Sequence, residues 1–178
     1  MVIWFSGISG SGKTTIGKKF FNLLKKKSNS TIFLDGDKFR KLFKNDLGYT
    51  LKDRDTNAYR LTRLVDEISK QKINIVVSAN LTNLNYRKWC RKNMKNYLEI
   101  YLVAKKSSLL KRDYKNLYKN ALNGKLKNVV GIDLPFIRPK GCDMYIKNDT
   151  TKKNLYSNIS KIFTKIDKSN IEIYSDSK

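Results

Sequence analysis

Nine consecutive residues, Gly7-Ile8-Ser9-Gly10-Ser11-Gly12-Lys13-Thr14-Thr15, have the types and spacing that hold a polyphosphate. In a Gly-x4-Gly-Lys-Thr pattern, backbone N–H groups of the loop converge on an anion, and the helix that follows adds the positive end of its dipole. Lys13 then reaches the β- and γ-phosphates, and the Thr14 hydroxyl is a ligand for Mg2+. Gly7, Ser9, Gly10, Ser11, Gly12 and Thr15 complete the expected ATP cradle. A glycine-rich turn with a chance lysine reads the same in isolation. The strand-like run Val2–Ser6 before it and the helical periodicity after it favour the phosphate loop.

A second chemical stretch is Leu34-Asp35-Gly36-Asp37-Lys38-Phe39-Arg40. Its two carboxylates flank a glycine and are expected to face the phosphate loop. Asp35 suits water-mediated ligation of the metal, and Asp37 suits a hydroxyl that must be oriented or relieved of its proton. Arg40 is placed to clamp an acceptor phosphate. Asp37 also suits the N-cap of a helix at 38–44. Downstream, Thr50 reads as the N-cap of a helix at 52–71 and Tyr49 as a face for base stacking, while Arg54 and Asn57 share one helical face. Arg112, Lys115 and Lys119 bring three cations to one segment; Arg112 is expected at the ATP, the two lysines at the chemistry. Phosphoryl transfer asks little covalent help of a protein and draws much of its rate from cations closing over the moving group.

These groups need a scaffold. Strand-like runs at 2–6, 31–34, 73–78, 98–103 and 143–147 alternate with helical periodicity at 13–26, 52–71, 84–95 and 151–166. That alternation predicts an α/β, three-layer fold whose parallel sheet is flanked by helices and binds ligands at the carboxyl ends of its strands. The informative segments are then 7–15, 35–40, 79–83 and 104–140. Residues 113–140 hold both prolines and two of the nine glycines, and read as a lid. Residues 1–166 read as one domain and 167–178 as a polar C-terminal tail.

Composition narrows the chemistry. The chain has no histidine, which excludes histidine acid–base catalysis and histidine metal ligation. Cys90 and Cys142 lack the spacing of a zinc site or a disulfide framework. With no apolar run of membrane length and no signal-peptide pattern, the expectation is a cytoplasmic protein. Lys and Arg number 38 against 15 Asp and Glu, a formal charge of +23 over 178 residues, which raises a nucleic-acid-binding P-loop protein as a reading from another class. The lysines are scattered, however, and no aromatic–basic alternation accompanies them, so a solvated basic surface around a site for small anions is favoured. A GTPase-like switch is disfavoured because the nearest base-recognition candidate, Ile146–Thr151, lacks the Asn-Lys-x-Asp spacing.

Taken together and in order, GISGSGKTT, LDGDKFR, DLGYTLKDRDTN, RDYKNLYKNA and GIDLPF resemble the adenylyl-sulfate (APS) kinase family over about residues 2–165. The resemblance implies a P-loop nucleotide-kinase fold, ATP and Mg2+, an often dimeric enzyme, and phosphorylation of the 3′-hydroxyl of adenosine 5′-phosphosulfate. Asp37 and Arg40 match the family's Asp-Gly-Asp-x-x-Arg, and Arg54 and Asn57 its Asp-Arg-x-x-Asn; all four would hold the acceptor nucleotide. Lys119, Ile132 and Asp133 match lid positions that close on it, and Tyr49 stands where phenylalanine is usual.

The departures gather in the acceptor half. Asn80, Leu81, Thr82 and Asn83 replace Phe-Ile-Ser-Pro, Tyr59 replaces an arginine, and Val129 replaces the phenylalanine that forms the second face of an adenine sandwich. Such a pocket suits a smaller base or a different terminal group. It resembles the branch of the family that phosphorylates cytidine diphosphoramidate in bacterial capsule synthesis. The expected partners are therefore ATP and a small nucleotide acceptor, cytidine diphosphoramidate ahead of adenylyl sulfate, with no specific nucleic acid and no membrane.

Overall fold

The computed structural model describes residues 1–44, 46–113, 115–135, 138–149 and 153–175. Five parallel strands, β1 (Val2–Ser6), β2 (Thr31–Asp35), β3 (Asn74–Ser78), β4 (Tyr97–Val103) and β5 (Met144–Lys147), pair in the order β2-β3-β1-β4-β5. Side-chain alternation along β1 explains the layers. Ile3 and Phe5 face a core shared with Ile16, Phe20 and Leu24 of α1 (Lys13–Lys25) and with Ile159, Ile162 and Ile166 of α7 (Lys153–Lys168). Val2 and Trp4 face the other core, against Leu61 and Val65 of α3 (Leu51–Ser69) and Cys90 of α4 (Leu84–Asn93). The three-layer α/β expectation holds, with strand and helix ends displaced by one or two residues.

Three shorter helices lie near the carboxyl edge of the sheet: α2 (Gly36–Leu42), α5 (Lys106–Lys111) and α6 (Leu117–Leu122). Leu109, Tyr118 and Val129 form a small third core there, apart from the two large ones, with Ile8 after β1 and Ala104 after β4 packed against it. The lid's Tyr114, Phe136 and Ile137 lie outside the described residues, as do Thr151 and Lys152 of the expected last helix.

Its returning limb is pinned from below. Arg87 grips Glu99 at 2.7 and 2.8 Å, and the same guanidinium donates to the Lys140 carbonyl (3.3 Å) and to Cys142 Sγ (3.0 Å). Both charged partners are buried, and the bidentate geometry offsets their desolvation.

The expected polar tail is docked as far as it is described. Ile171 and Ile173 pack against the first core, and Tyr174 exchanges two hydrogen bonds with the buried Asn74 (2.7 and 3.0 Å). Alternate apolar residues in a short polar stretch gave too little periodicity to announce this. Residues 176–178 lie outside the described residues. No described helix is long and apolar enough to cross a membrane.

Candidate active site

The phosphate loop runs from β1 into α1. Gly7 has φ +152°, and a Cβ there would stand 2.6 Å from Ser11 Oγ and 2.9 Å from the Leu102 carbonyl. Gly12, at φ +91°, would drive a Cβ into the Asn148 amide. That amide donates to the Ser11 carbonyl (2.7 Å), while Arg112 donates to the Asn148 carbonyl (2.7 Å). Thus the first residue after β5 ties the loop to Arg112. No side chain caps the start of α1, so its leading N–H groups face the cavity above.

Beside the loop, Thr14 Oγ1 donates to Asp35 Oδ2 (3.0 Å) and lies 3.1 Å from Ser78 Oγ at the end of β3. A carboxylate and two hydroxyls are hard oxygen donors of the kind Mg2+ takes when it keeps several waters, so these residues fit that ion. Among the described residues there is no cluster of three acidic or thiol ligands that would cage a metal directly.

Asp35, not Asp37, caps α2. Its Oδ1 accepts from the N–H groups of Asp37 (3.0 Å) and Lys38 (3.1 Å), because the helix begins at Gly36, two residues before the predicted start. Asp37 is thereby left facing Lys115, whose Nζ lies 3.1 Å from Oδ2. Partial desolvation at the cavity wall would raise the pKa of the largely exposed Asp37, but the hydrogen bond and charge of Lys115, with Lys13 and Arg40, bring it below the ordinary carboxylate value. The Asp37 bond in turn raises Lys115. Lys13 moves the other way: burial lowers it, only partly opposed by Asp37 and Asp35.

The two lid lysines do not share a helical face. Asn116 takes a left-handed conformation (φ 50°), and α6 begins only at Leu117. Lys115 therefore falls before the helix and reaches inward. Lys119 is exposed and lines neither of the two cavities over the phosphate loop; its backbone N–H goes to Asp113 (2.9 Å). Tyr118, on the same helix, donates its hydroxyl to the Ser9 carbonyl (2.8 Å) and fastens the lid to the phosphate loop.

Two cavities meet over this ground. One of about 670 Å³ is lined by Gly10, Gly12, Thr15, Arg112, Asn148 and Leu155. The other, of about 240 Å³, is lined by Arg40, Arg54, Asn57, Asn80, Thr82 and Val129. Lys13, Thr14, Asp35, Asp37, Tyr49 and Lys115 line both.

Within the smaller cavity, Arg54 joins the wall to the lid, donating to the carbonyls of Tyr49 (2.9 Å) and Asn128 (2.8 Å). Arg40, nearly buried, donates to the Gly48 carbonyl. Thr50 and Asp53 close a capping box at the start of α3, and α3 then turns Arg54 and Asn57 to the cavity. Asn57 Oδ1 is buried with no hydrogen-bond partner among the described residues.

Leu81, Ile132 and Asp133, all expected at the acceptor, do not line the cavity. Leu81 is 1% exposed in the second core, Ile132 packs in the lid core, and Asp133 accepts from the N–H groups of Asn128 and Val129. Asp133 thus shapes the turn that presents Val129. Tyr59 also stands apart, half exposed against Tyr86 and Arg63, so the lost arginine does not alter the cavity wall. Asn83 caps α4 and donates to Asp55 (3.1 Å).

Ser78, Tyr118, Asn128 and Asn148 went unread in the sequence. Ser78 and Asn148 stand at strand carboxyl ends, the one signal that would have found them.

A phosphate loop and a lid around two cavities with a shared charged wall let a phosphoryl group pass between two bound molecules, which is the work of a P-loop kinase. The sequence profile of the adenylylsulphate kinases matches residues 1–147. Cytidine diphosphoramidate kinase of Campylobacter jejuni is 34% identical over 93% of this chain and 95% of its own length, and adenylyl-sulfate kinase of Deinococcus deserti is 31% identical over 83% and 82%. Among solved structures, the Mycobacterium tuberculosis APS kinase CysC in complex with AMPPNP and APS superposes with a TM-score of 0.82 at 27% identity, covering 93% of this chain and 96% of that one. The chain belongs to the adenylyl-sulfate kinase family. It is an ATP-dependent nucleotide 3′-kinase, a phosphotransferase with an alcohol group as acceptor.

Proposed function

We propose that this enzyme transfers the γ-phosphoryl group of ATP to the ribose 3′-hydroxyl of cytidine diphosphoramidate. Val129 carries the reading. It faces the acceptor cavity where an adenine would need a second ring to lie against, and its branched side chain cannot stack. Asn80, in the same cavity, offers an amide to the N4 amine or O2 carbonyl of a cytosine. The Campylobacter jejuni relative, matched nearly end to end, supports the same acceptor. Adenylyl sulfate is the second reading, supported by the Deinococcus deserti relative and by the APS-bound Mycobacterium tuberculosis structure.

In the mechanism, the loop N–H groups and Lys13 hold the triphosphate. Thr14, Asp35 and Ser78 would hold Mg2+, which would supply positive charge beside the transferring phosphoryl group. Arg40, Arg54 and Asn57 seat the acceptor, with its 3′-oxygen directed at the γ-phosphorus. The new O–P bond forms as the bond to the β-phosphate oxygen breaks, and ADP leaves with that electron pair. Asp37, held as a carboxylate, accepts a hydrogen bond from the 3′-hydroxyl, orients it and takes its proton as the O–P bond forms, passing it to solvent afterwards. Lys115 and Lys13 balance charge on the moving group.

The test offers ATP with cytidine diphosphoramidate, CDP, adenylyl sulfate and AMP, and follows ADP release. Preference for cytidine diphosphoramidate is the expected result; preference for adenylyl sulfate would overturn the acceptor assignment.

A further inference from the structure

Tyr49 lines both cavities, yet the acceptor assignment uses only its ring. That ring is engaged on the protein side: the Arg40 guanidinium lies 4.9 Å and the Arg54 guanidinium 5.5 Å from its centroid. The backbone beside it is fixed too, since Arg54 Nε takes the Tyr49 carbonyl and Arg40 takes the Gly48 carbonyl. None of these contacts uses the phenol hydroxyl. The residue is 52% exposed, and Lys13, Asp37 and Lys115 line the same two cavities. Two arginines thus hold the ring of a residue that lines both cavities, and among the described residues no hydrogen bond engages its phenol oxygen.

We propose that the Tyr49 hydroxyl hydrogen-bonds the phosphoryl group during transfer, as a neutral donor on the wall it shares with Lys115 and Lys13. The inference rests on the kinase reading and adds one residue to its chemistry. A phenol suits the place. Two lysines already balance the γ-oxygens, and a third cation beside Arg40 and Arg54 would repel them. A neutral O–H adds a directed hydrogen bond without that repulsion. No covalent step is involved; the hydroxyl keeps its proton throughout.

The experiment compares the full-length wild type with Tyr49→Phe and Tyr49→Leu, measuring kcat and KM for ATP and for whichever nucleotide acceptor the wild type prefers. Tyr49→Phe keeps the ring and its guanidinium contacts and removes only the hydroxyl. It is expected to lower kcat by on the order of tenfold, the effect of one hydrogen bond to a charged group, with the acceptor KM little changed. Tyr49→Leu should add a rise in acceptor KM. Wild-type kcat in Tyr49→Phe, with the loss confined to Tyr49→Leu, overturns the role of the hydroxyl and leaves the kinase reading standing. A wild type that phosphorylates none of the nucleotides overturns both.

Discussion

Replacing Lys115 with methionine removes the cation facing Asp37 and leaves a chain of similar length. Both side chains of that pair are largely exposed, 74% for Lys115 and 68% for Asp37, so as a surface ion pair it stabilises the fold by only about 0–1 kcal/mol. The melting temperature of Lys115→Met should fall by no more than about 4 °C. The rate should change far more. A preorganised group lost from a developing charge lowers kcat by on the order of 100-fold. Lys119→Met is the control: an exposed side chain outside both cavities should leave kcat within about twofold. Initial rates of ADP release and a melting curve on each protein measure both quantities. Equal losses in the two variants would refute the assignment of the inward cation to Lys115. The pH profile adds a second check. Because Asp37 is held below its ordinary value, its carboxylate is fully ionised across pH 5–8, and its contribution to stability, present above the unfolded value near 3.9, fades only as pH falls through the lower folded value. Removing Lys115 removes downward pulls on that pKa, so the acidic limb of the rate profile should move to higher pH.

Val129→Phe restores an aromatic face in the acceptor cavity and should raise kcat/KM for adenylyl sulfate relative to cytidine diphosphoramidate; no relative gain, measured on the same acceptor panel, counts against lost stacking as the basis of preference. Asn74→Ala breaks the tie to Tyr174 and leaves backbone groups unpaired in a part-buried place, a cost of about 1–3 kcal/mol that a denaturant titration will read. Burial pushes the Cys90 thiol up to about 12 and the Cys142 thiol up to about 11, so neither should be alkylated quickly in the native protein at pH 8, and both should react once it is unfolded.

The sheet was legible because each strand is a short apolar run between longer periodic segments, and the phosphate loop because its spacing is itself the structure. Local rules also found the Thr50 cap. What escaped was decided across the fold. Nothing local tells that Asp35 rather than Asp37 caps α2, since both carboxylates stand at the same helix start, two residues apart. Lys115 and Lys119 are four residues apart on one segment, and only the left-handed residue between them, Asn116, decides that the helix takes in one and not the other. Asn148 reads as an ordinary polar residue until β5 sets it beside Gly12.

The lid's separate core has a consequence for how such an enzyme diversifies. Leu109, Tyr118 and Val129 form a cluster apart from the two large cores, with Ile8 of the phosphate loop and Ala104 packed against it, and the limb behind them is bolted down by Arg87 and Glu99. A mutation at Val129 can therefore reshape what the enzyme accepts without endangering the strands that hold its fuel. Recognition of the second substrate is free to drift while the sheet and its two large cores stay constant.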